Sequence, residues 1–333
     1  MSETTIHFLG EKDYIPVMET ENLAWRRAHV KNGNFLTRDG IRLNYYHAEH
    51  PQPKGVIVIL HGYCGFWGKY HEYAWYLWQA GYSVFFLEQR CHGYSGGKLP
   101  EFDVIHIDTF DTYVEDLREF MDRVVLPASG ELPRLLLAHS MGGAVGALFL
   151  GTHPEYFAGA VLTSPMLKLQ TGKMTPRRIK GVKAYMRVTR REKKLCFGEH
   201  RFVPEPKFPN TSTLSKARYI YFFRQRIYDS HYRTAGATFG WVMAAVEVSS
   251  LILERADRIR VPVTLMQAGI DTLVDPAGFD AFMARVPQAR KYLYENSKHE
   301  LFNSSGRERK QYFRDVIGEF DKMSSPGHDS RLA

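Results

Sequence analysis

Ser140 stands between small residues at the end of an apolar run, in the stretch 135–147. Residues 138–142 read A-H-S-M-G, which matches the G-x-S-x-G pattern of a nucleophile elbow except for alanine in the first position. Alanine is small enough for a place where the backbones of strand and helix nearly touch. The stretch predicts a nucleophilic serine held in a strained turn between strand and helix. The alternative is the start of a small-residue helix below a buried strand.

An acid and a histidine follow at the positions that such a serine requires. Asp271 comes directly after a buried-strand pattern at residues 261–269, and His299 follows a predicted strand at 290–294 and a turn at 295–298. On the fold that carries this elbow, the acid and then the histidine follow the serine, each after a later strand. A lone loop histidine is ordinarily a solvated side chain. The order of the three residues instead favours a Ser-His-Asp triad.

Asp275 is the alternative acid. It lies directly before Pro276. An aspartate followed by proline is typical of a helix N-cap with proline in the first helical position. We therefore expect Asp271 to be the triad acid and Asp275 to cap the next helix.

An upstream strand and turn offer donors for an oxyanion. The apolar strand at residues 56–60 runs into His61-Gly62-Tyr63. Acyl transfer generates an oxyanion that needs preorganised N–H groups. We expect the backbone N–H groups of Tyr63 and of Met141 to supply them, since Met141 follows the nucleophile at a helix N-terminus. The alternative for His-Gly is a tight turn with a packed histidine.

These residues resemble α/β-hydrolases of the monoglyceride lipase and lysophospholipase group over residues 30–320. The resemblance implies an α/β-hydrolase fold and a lysophospholipid substrate, with a monoacylglycerol or a general carboxylic ester as the alternative. Residues 88–93 read E-Q-R-C-H-G where the group often has D-x-R-G-H-G. Besides the Asp271 and His299 contexts, the motifs that carry the resemblance are His61-Gly62, Arg90-Cys91-His92-Gly93-Tyr94-Ser95-Gly96, Ala138-His139-Ser140-Met141-Gly142-Gly143 and Thr163-Ser164-Pro165-Met166.

Two other functions share some of these features. A prolyl-type aminopeptidase uses the same triad, but it needs an acidic site for a free amino terminus. A catalytically silent lipid-binding protein would not need an intact Ser, Asp and His set. Because the side chains of a triad supply both the nucleophile and the acid–base group for two-step acyl transfer, we expect no cofactor and no metal.

The elements that must position these residues alternate between strand and helix. This alternation predicts a mostly parallel sheet with helices on both faces. Asp39-Gly40 predicts a hairpin between two early strands. The main predicted segments are strands at 56–60, 82–87, 159–162, 261–269 and 290–294, helices at 69–80 and 108–126, and a helical or irregular lead-in at 1–30.

The alternation fails between residues 166 and 235, which predicts a cap inserted into the α/β-hydrolase core. The core then comprises residues 1–165 and 236–323, and the polar tail 324–333 is expected to be disordered. An aromatic run at 219–223 either lines an acyl-chain pocket or forms the core of the cap.

The predicted cap is strongly basic. It contains eighteen Lys and Arg against four Asp and Glu, whereas the whole chain has a net charge of +8. A helix predicted from Pro176 to about Arg191 is amphipathic, with Ile179, Val182, Met186 and Thr189 on one face. Such a helix can lie on an anionic membrane, and the alternative is a solvated face. The candidate membrane or phosphate contacts are Arg177, Arg178, Lys180 and Lys183.

Composition narrows the partners and the compartment. Cys64, Cys91 and Cys196 are an odd number without metal-site spacing, which predicts a reducing compartment. The N-terminus lacks the basic start and apolar segment of a secretory signal. We therefore expect a cytoplasmic protein, with peripheral contact at the inner face of the membrane if the cap binds lipid. Nucleic acid is disfavoured as a partner because it would leave the triad unexplained.

Overall fold

The computed structural model describes residues 6–100, 103–170, 176–208 and 211–325. Most of the tail predicted to be disordered therefore lies outside the described residues. In the described part, ten strands follow one another along the chain. They are β1 Val30–Leu36, β2 Arg42–Ala48, β3 Val56–Leu60, β4 Ser83–Glu88, β5 Val104–Ile105, β6 Arg134–His139, β7 Gly159–Thr163, β8 Gly236–Ala237, β9 Val263–Ile270 and β10 Arg290–Lys298.

Helices connect most of these strands. A π-helical turn, Met121–Val125, joins α4 to α5. The α-helices are α1 Tyr14–Glu19, α2 Glu21–His29, α3 His71–Gln79, α4 Asp111–Phe120, α5 Leu126–Ser129, α6 Met141–Thr152, α7 Pro176–Thr189, α8 Lys216–Tyr228, α9 Phe239–Arg255, α10 Ala277–Arg285 and α11 Gly306–Ser324.

Eight of the strands form one sheet in the order β1-β2-β4-β3-β6-β7-β9-β10. Strand β2 is antiparallel to both of its neighbours, and the remaining pairs are parallel. The predicted hairpin at Asp39-Gly40 joins β1 to β2, and Gly40 has a φ of 79° that glycine adopts without strain. The predicted fold class, a mostly parallel sheet with helices, is confirmed.

Apolar side chains cover both faces of the sheet. Every residue of β3 is buried, as expected for a parallel strand with helices on each side. Val56, Val58 and Leu60 pack with the layer that contains α4, α6 and α9. Ile57 and Ile59 pack with the layer that contains α3 and α11. The carboxyl ends of the parallel strands therefore stand on a rigid base.

The region predicted as a cap contains α7 and α8. Directly after this region, β8 pairs with β5 in parallel and forms a short second sheet. Tyr219 and Phe222 pack with Phe66 in a small cluster, whereas Tyr221 packs with the core layer around α3. The aromatic run therefore packs where this region meets the core, and forms a core shared with the base rather than one that belongs to the cap alone.

Two local predictions were wrong. Residues 295–298 are not a turn but the end of β10. The pairing of β10 with β9 is irregular after Tyr294 and resumes at Lys298, which pairs with Ile270. The helix predicted at 108–126 begins at Asp111 and contains the π-helical turn. On the face of α7 that was predicted to be apolar, Ile179, Val182 and Met186 are half-buried, and Thr189, the last residue of the helix, is exposed.

Candidate active site

Ser140 lies in the sharp turn between β6 and α6. Its φ of 54° and ψ of −116° place a non-glycine residue in a strained conformation. Two backbone hydrogen bonds hold it there, since its N–H donates to the Thr163 carbonyl at 3.0 Å and its carbonyl accepts from the Met166 N–H at 2.9 Å. The turn therefore presents the hydroxyl at the carboxyl end of the central strands.

Close approach of strand and helix explains the small residues around the turn. A Cβ on Gly142 would lie 2.5 Å from the Leu60 carbonyl oxygen, so this position requires glycine. The Cβ of Ala138 is tolerated because it faces Gly146, where an added Cβ would approach it at 3.3 Å. The departure from the G-x-S-x-G pattern thus fits the packing.

The structure brings together the three residues proposed as a triad. The Ser140 hydroxyl lies 2.7 Å from His299 Nε2, and His299 Nδ1 lies 2.7 Å from Asp271 Oδ2. An ionised carboxylate only accepts hydrogen bonds, so Nδ1 carries the imidazole proton and Nε2 is left to accept from the serine. The Ser140 and His299 residues are buried, and the Asp271 side chain is 7% exposed.

Asp271 and Asp275 occupy different environments. Asp271 Oδ1 also accepts from the Leu273 N–H at 2.8 Å, which fixes the carboxylate toward the histidine. Asp275 accepts from the Ala277 N–H at 3.0 Å and pairs with Lys168 at 2.6 Å. It therefore caps α10 from two residues before the helix, with Pro276 between them.

The loop after β3 packs against the serine turn. A Cβ on Gly62 would lie 3.1 Å from the Ser140 Cβ. Gly62 is therefore packed against the serine, and Tyr63 is the next residue in the chain. Met141 is the first residue of α6, where the helix dipole favours negative charge. Of the two residues expected to donate their N–H groups to an oxyanion, Met141 therefore adjoins Ser140 in sequence and Tyr63 adjoins it across the contact at Gly62.

His61 anchors this loop. Its Nδ1 donates to the Gly62 carbonyl at 2.8 Å, and its Nε2 accepts from the Gln89 N–H at 3.0 Å. Burial lowers the pKa of His61 to about 4, so the ring stays neutral and keeps both bonds at neutral pH. The histidine of the His-Gly motif is therefore packed, and it positions Tyr63 rather than reacting.

Tyr63 also contacts the region predicted as a cap. Its hydroxyl donates to Glu199 Oε2 at 2.6 Å, and its ring packs against Trp241 with centroids 4.7 Å apart. Glu199 Oε2 accepts a second bond from the Ala237 N–H. Sequence reasoning did not identify Glu199, because no local pattern joins residues so far apart in the chain.

A cavity of about 130 Å³ opens beside the serine. A buried ion pair lines it, in which Lys69 Nζ donates to Glu300 Oε1 at 2.5 Å. Burial alone would raise the pKa of Glu300, but the Lys69 ammonium outweighs burial and lowers it below the ordinary value. Sequence reasoning missed both residues, although Glu300 adjoins His299. The other lining residues are Gly62, Tyr63, Gly65, Tyr70, His139, Ser140, Ser212, Leu273 and His299.

His139 stays neutral next to the triad. Burial, reinforced by the nearby His299 and Lys69, lowers its pKa well below the ordinary value. Its Nδ1 lies 3.1 Å from both the carbonyl and the hydroxyl oxygen of Thr163, and its ring centroid lies 5.0 Å from that of His299. A neutral ring here adds no charge that would compete with a developing imidazolium on His299.

The four basic residues singled out in the cap do not share one environment. Arg177 and Lys180 are exposed on α7. Lys183 instead makes an ion pair with Glu247 of α9 in the core, and Arg178 also has an interaction partner. Among the described helices, none has the length and apolarity needed to cross a membrane.

Comparisons with known proteins agree with this architecture. A family model described as "Serine aminopeptidase, S33" matches residues 51–306. Lysophospholipase L2 of Escherichia coli (strain K12) is 28% identical over 312 residues, which cover 91% of this chain and 90% of that protein. Monoacylglycerol lipase of Mycolicibacterium smegmatis is 26% identical over 273 residues, covering 81% of this chain and 90% of that protein.

Solved structures show the same fold. A soluble variant of monoglyceride lipase from Saccharomyces cerevisiae, in complex with a substrate analog, superimposes with a TM-score of 0.69 at 18% identity. The match covers 89% of this chain and 95% of that one. Together with the sequence matches, it confirms the resemblance and the α/β-hydrolase fold that the motifs predict.

Proposed function

The chain belongs to the family described as serine aminopeptidase, S33, and within this family we propose that it hydrolyses the acyl ester of lysophospholipids with Ser140, His299 and Asp271 as its triad. It is a carboxylic ester hydrolase. The observation that carries the proposal is the continuous hydrogen-bonded chain from the Ser140 hydroxyl through His299 to Asp271, at the mouth of a cavity.

Acylation begins at the serine hydroxyl. His299 Nε2 takes its proton while the oxygen attacks the ester carbonyl carbon, and Asp271 stabilises the resulting imidazolium through Nδ1–H. The carbonyl oxygen becomes an oxyanion, to which the N–H groups of Tyr63 and Met141 donate. The tetrahedral intermediate collapses, the C–O bond to the glyceryl group breaks, and His299 protonates the departing alcohol.

Deacylation repeats these steps with water. His299 removes a proton from a water molecule that attacks the acyl-serine ester. The fatty acid leaves and the proton returns to the serine oxygen. The side chains regenerate fully, so no redox or metal step enters the cycle.

Relatives support lysophospholipid over other esters. The L2 relative aligns over nine-tenths of both chains, and the monoacylglycerol lipase aligns over less of this chain. The excess of positive charge in the cap suits substrates that carry a phosphate. Monoacylglycerol is the second candidate, supported by the M. smegmatis relative and the S. cerevisiae structure.

Aminopeptidase activity fits the cavity poorly. A free amino terminus needs an available carboxylate. Among the described residues that line the cavity, Glu300 is the carboxylate, and it is already bound by Lys69 at 2.5 Å and by the Asn303 amide at 2.8 Å. This pairing favours an uncharged ester group at the serine.

A substrate panel tests the proposal. Product release is measured on lysophospholipids, monoacylglycerols, p-nitrophenyl butyrate and a prolyl amide, for the wild type and for Ser140→Ala. We expect the highest kcat/KM on a lysophospholipid and a loss of roughly 10³-fold or more in the variant. A higher kcat/KM on monoacylglycerols would select the second candidate. Near wild-type turnover by a folded Ser140→Ala protein would refute the triad.

A further inference from the structure

We propose that a second cavity, which shares no lining residue with the cavity beside Ser140, binds a phosphate-bearing anion. This cavity of about 320 Å³ lies where the N-terminal segment meets the starts of α8 and α11. We call it the basic cavity. The residues that matter for the argument are Glu11, Lys216, Arg218, Ser305, Arg309 and Lys310, all of which line it.

The floor of the basic cavity holds more buried positive than negative charge. Arg218 and Arg309 are each 2% exposed in their side chains, and both pair with the same buried carboxylate, Glu72. The Arg218–Glu72 distance is 2.6 Å and the Arg309–Glu72 distance is 3.0 Å. The other N–H groups of the two arginines donate to neutral acceptors, the Leu9 carbonyl and the Ser215 hydroxyl. Glu72 is thus the one fully buried carboxylate for two guanidinium groups, and the remaining positive charge favours further anions.

Glu11 already shows how the cavity receives an anion. Its two carboxylate oxygens accept from the Ala217 N–H and from the Ser215 hydroxyl, each at 2.6 Å. Glu11 lies 3.6 Å from Arg218 and is still 48% exposed in its side chain. The start of α8 therefore binds a carboxylate supplied by the chain itself, at the end of the helix where anions are favoured.

Glu11 does not neutralise the cavity. Lys216 and Lys310 stand at its rim, so four cationic side chains face two carboxylates, Glu11 and Glu72. The start of α11 also opens here, and Ser305 at its N-cap makes no side-chain capping bond. Arg and Lys donors combined with backbone N–H groups are the donor set that proteins use for phosphate. Phosphate is therefore the ligand chemistry that we assign.

Backbone hydrogen bonds connect the basic cavity to the segment that follows His299. The Ser215 N–H donates to the Asn303 carbonyl at 3.0 Å, and the Glu300 N–H donates to the Ser212 carbonyl at 3.1 Å. These bonds tie the segment before α8 to the segment that follows His299. The site itself contains no triad residue, so the inference stands whether or not the lysophospholipase proposal does.

Calorimetry with inorganic phosphate, at constant ionic strength in chloride, tests the assignment on the full chain. We expect saturable binding to the wild type and at least tenfold weaker binding to Lys216→Gln/Lys310→Gln, whose changes lie at the rim and spare the buried arginines. Glu11→Gln removes the competing charge and should tighten binding at least threefold. Lys31→Gln/Lys291→Gln, with the same loss of charge on exposed lysines outside the cavity, should bind phosphate like the wild type.

Vesicles distinguish a free phosphate from a lipid headgroup. Co-sedimentation compares neutral phosphatidylcholine with phosphatidylcholine containing phosphatidic acid, for the same variants. Phosphate binding that depends on Lys216 and Lys310 supports a soluble ligand, and vesicle binding that depends on them supports a headgroup. If neither depends on this pair more than on the control pair, or if Glu11→Gln weakens phosphate binding, the proposal is wrong.

Discussion

The strained backbone of Ser140 is part of what would make this residue a nucleophile. A serine with φ of 54° costs about 1–3 kcal/mol, and such a conformation persists only where its surroundings enforce it. Here the enforcing contacts are the bonds to Thr163 and Met166 and the close packing at Gly142. The same strain points the hydroxyl at His299. The geometry at this residue thus depends on contacts with β3, with the end of β7 and with the segment after β7, and not on residues 138–142 alone.

Substitutions of the two aspartates after β9 should have different effects on turnover and on stability. Asp271→Asn keeps an oxygen for the Leu273 N–H but favours the wrong imidazole tautomer, so we expect kcat to fall by about 10³–10⁴ with little loss of stability. Asp275→Ala removes a capping bond and should cost roughly 0.5–2 kcal/mol of unfolding free energy with a small kinetic effect. Turnover and urea denaturation of both variants decide the assignment, and the reverse pattern would make Asp275 the acid.

Tyr63 provides a sharper test of the oxyanion loop. Tyr63→Phe retains the backbone N–H and the ring but loses the bond to Glu199. If this bond positions the N–H group, kcat on p-nitrophenyl butyrate should fall about tenfold while KM changes little, since only transition-state binding is lost.

A matched control exists for this change. Tyr94 also donates its hydroxyl to a carboxylate beyond the core, that of Asp229, at 2.6 Å. Tyr94 does not line the cavity beside Ser140. Tyr94→Phe should therefore leave kcat near the wild-type value. Equal losses in the two variants would indicate that cap attachment in general, and not the position of Tyr63, controls the rate.

At the scale of elements, the sequence predicted what local patterns encode. The strand before Ser140, the helix after it and the strand at 56–60 lie where their patterns place them, because buried parallel strands are continuous apolar runs. The end of β10 was not predictable in this way. Its polar residues 295–298 are typical of a turn, and the strand continues only because β9 offers a partner.

Long-range pairs escape sequence reasoning for a related reason. Lys69 and Glu300 are 231 positions apart, and their ion pair exists only once the fold brings the turn before α3 next to the residue after His299. The same holds for Tyr63 and Glu199, whose separation is 136. The side chains that line the cavity are thus brought together by the topology, whereas the proposed triad could be predicted because the order of its members along the chain is a feature of the fold.

Glu88, at the end of β4, should make stability depend on pH. Burial raises the pKa of Glu88 from 4.5 to about 7, although Tyr94, Trp67 and Asn44 donate hydrogen bonds to it. With a folded pKa above the unfolded one, the folded state loses relative stability as pH rises from about 4.5 to 7. Below this window the carboxyl is protonated in both states, and above it the loss is complete.

Comparison with Glu88→Gln isolates this contribution. The variant is neutral at every pH, so between pH 5 and pH 8 its unfolding free energy should rise relative to the wild type by about 2 kcal/mol. Urea denaturation at the two pH values measures the difference. A constant difference between the proteins would show that Glu88 does not titrate in this range.

At the scale of the whole molecule, charge and chemistry are segregated. The residues of the proposed triad lie at the ends of strands of the large sheet, while residues 166–235 hold an excess of fourteen positive charges, more than the net charge of the whole chain. Exposed apolar side chains accompany this charge, since Val188 is 83% and Phe197 is 70% exposed. Basic residues next to exposed apolar ones are typical of surfaces that bind anionic membranes.

This segregation predicts that membrane binding and ester hydrolysis can be separated. Arg177→Glu/Lys180→Glu changes exposed residues of α7, and each basic residue near an anionic surface contributes about 1 kcal/mol. We expect co-sedimentation with anionic vesicles to weaken about tenfold or more, while p-nitrophenyl butyrate hydrolysis persists. Salt should weaken wild-type binding, because the Debye length falls from about 10 Å at 0.1 M to about 3 Å at 1 M.

Lys183→Gln/Glu247→Gln is the control that includes the same helix. These two residues form an ion pair between α7 and α9, so neutralising both leaves the net charge unchanged and should leave vesicle binding nearly unchanged. Equal binding of the wild type to neutral and anionic vesicles would make the basic surface a solvated face. Loss of soluble-ester activity in Arg177→Glu/Lys180→Glu would mean instead that α7 shapes the active site, because a surface that serves only lipid binding has no effect on a substrate that needs no membrane.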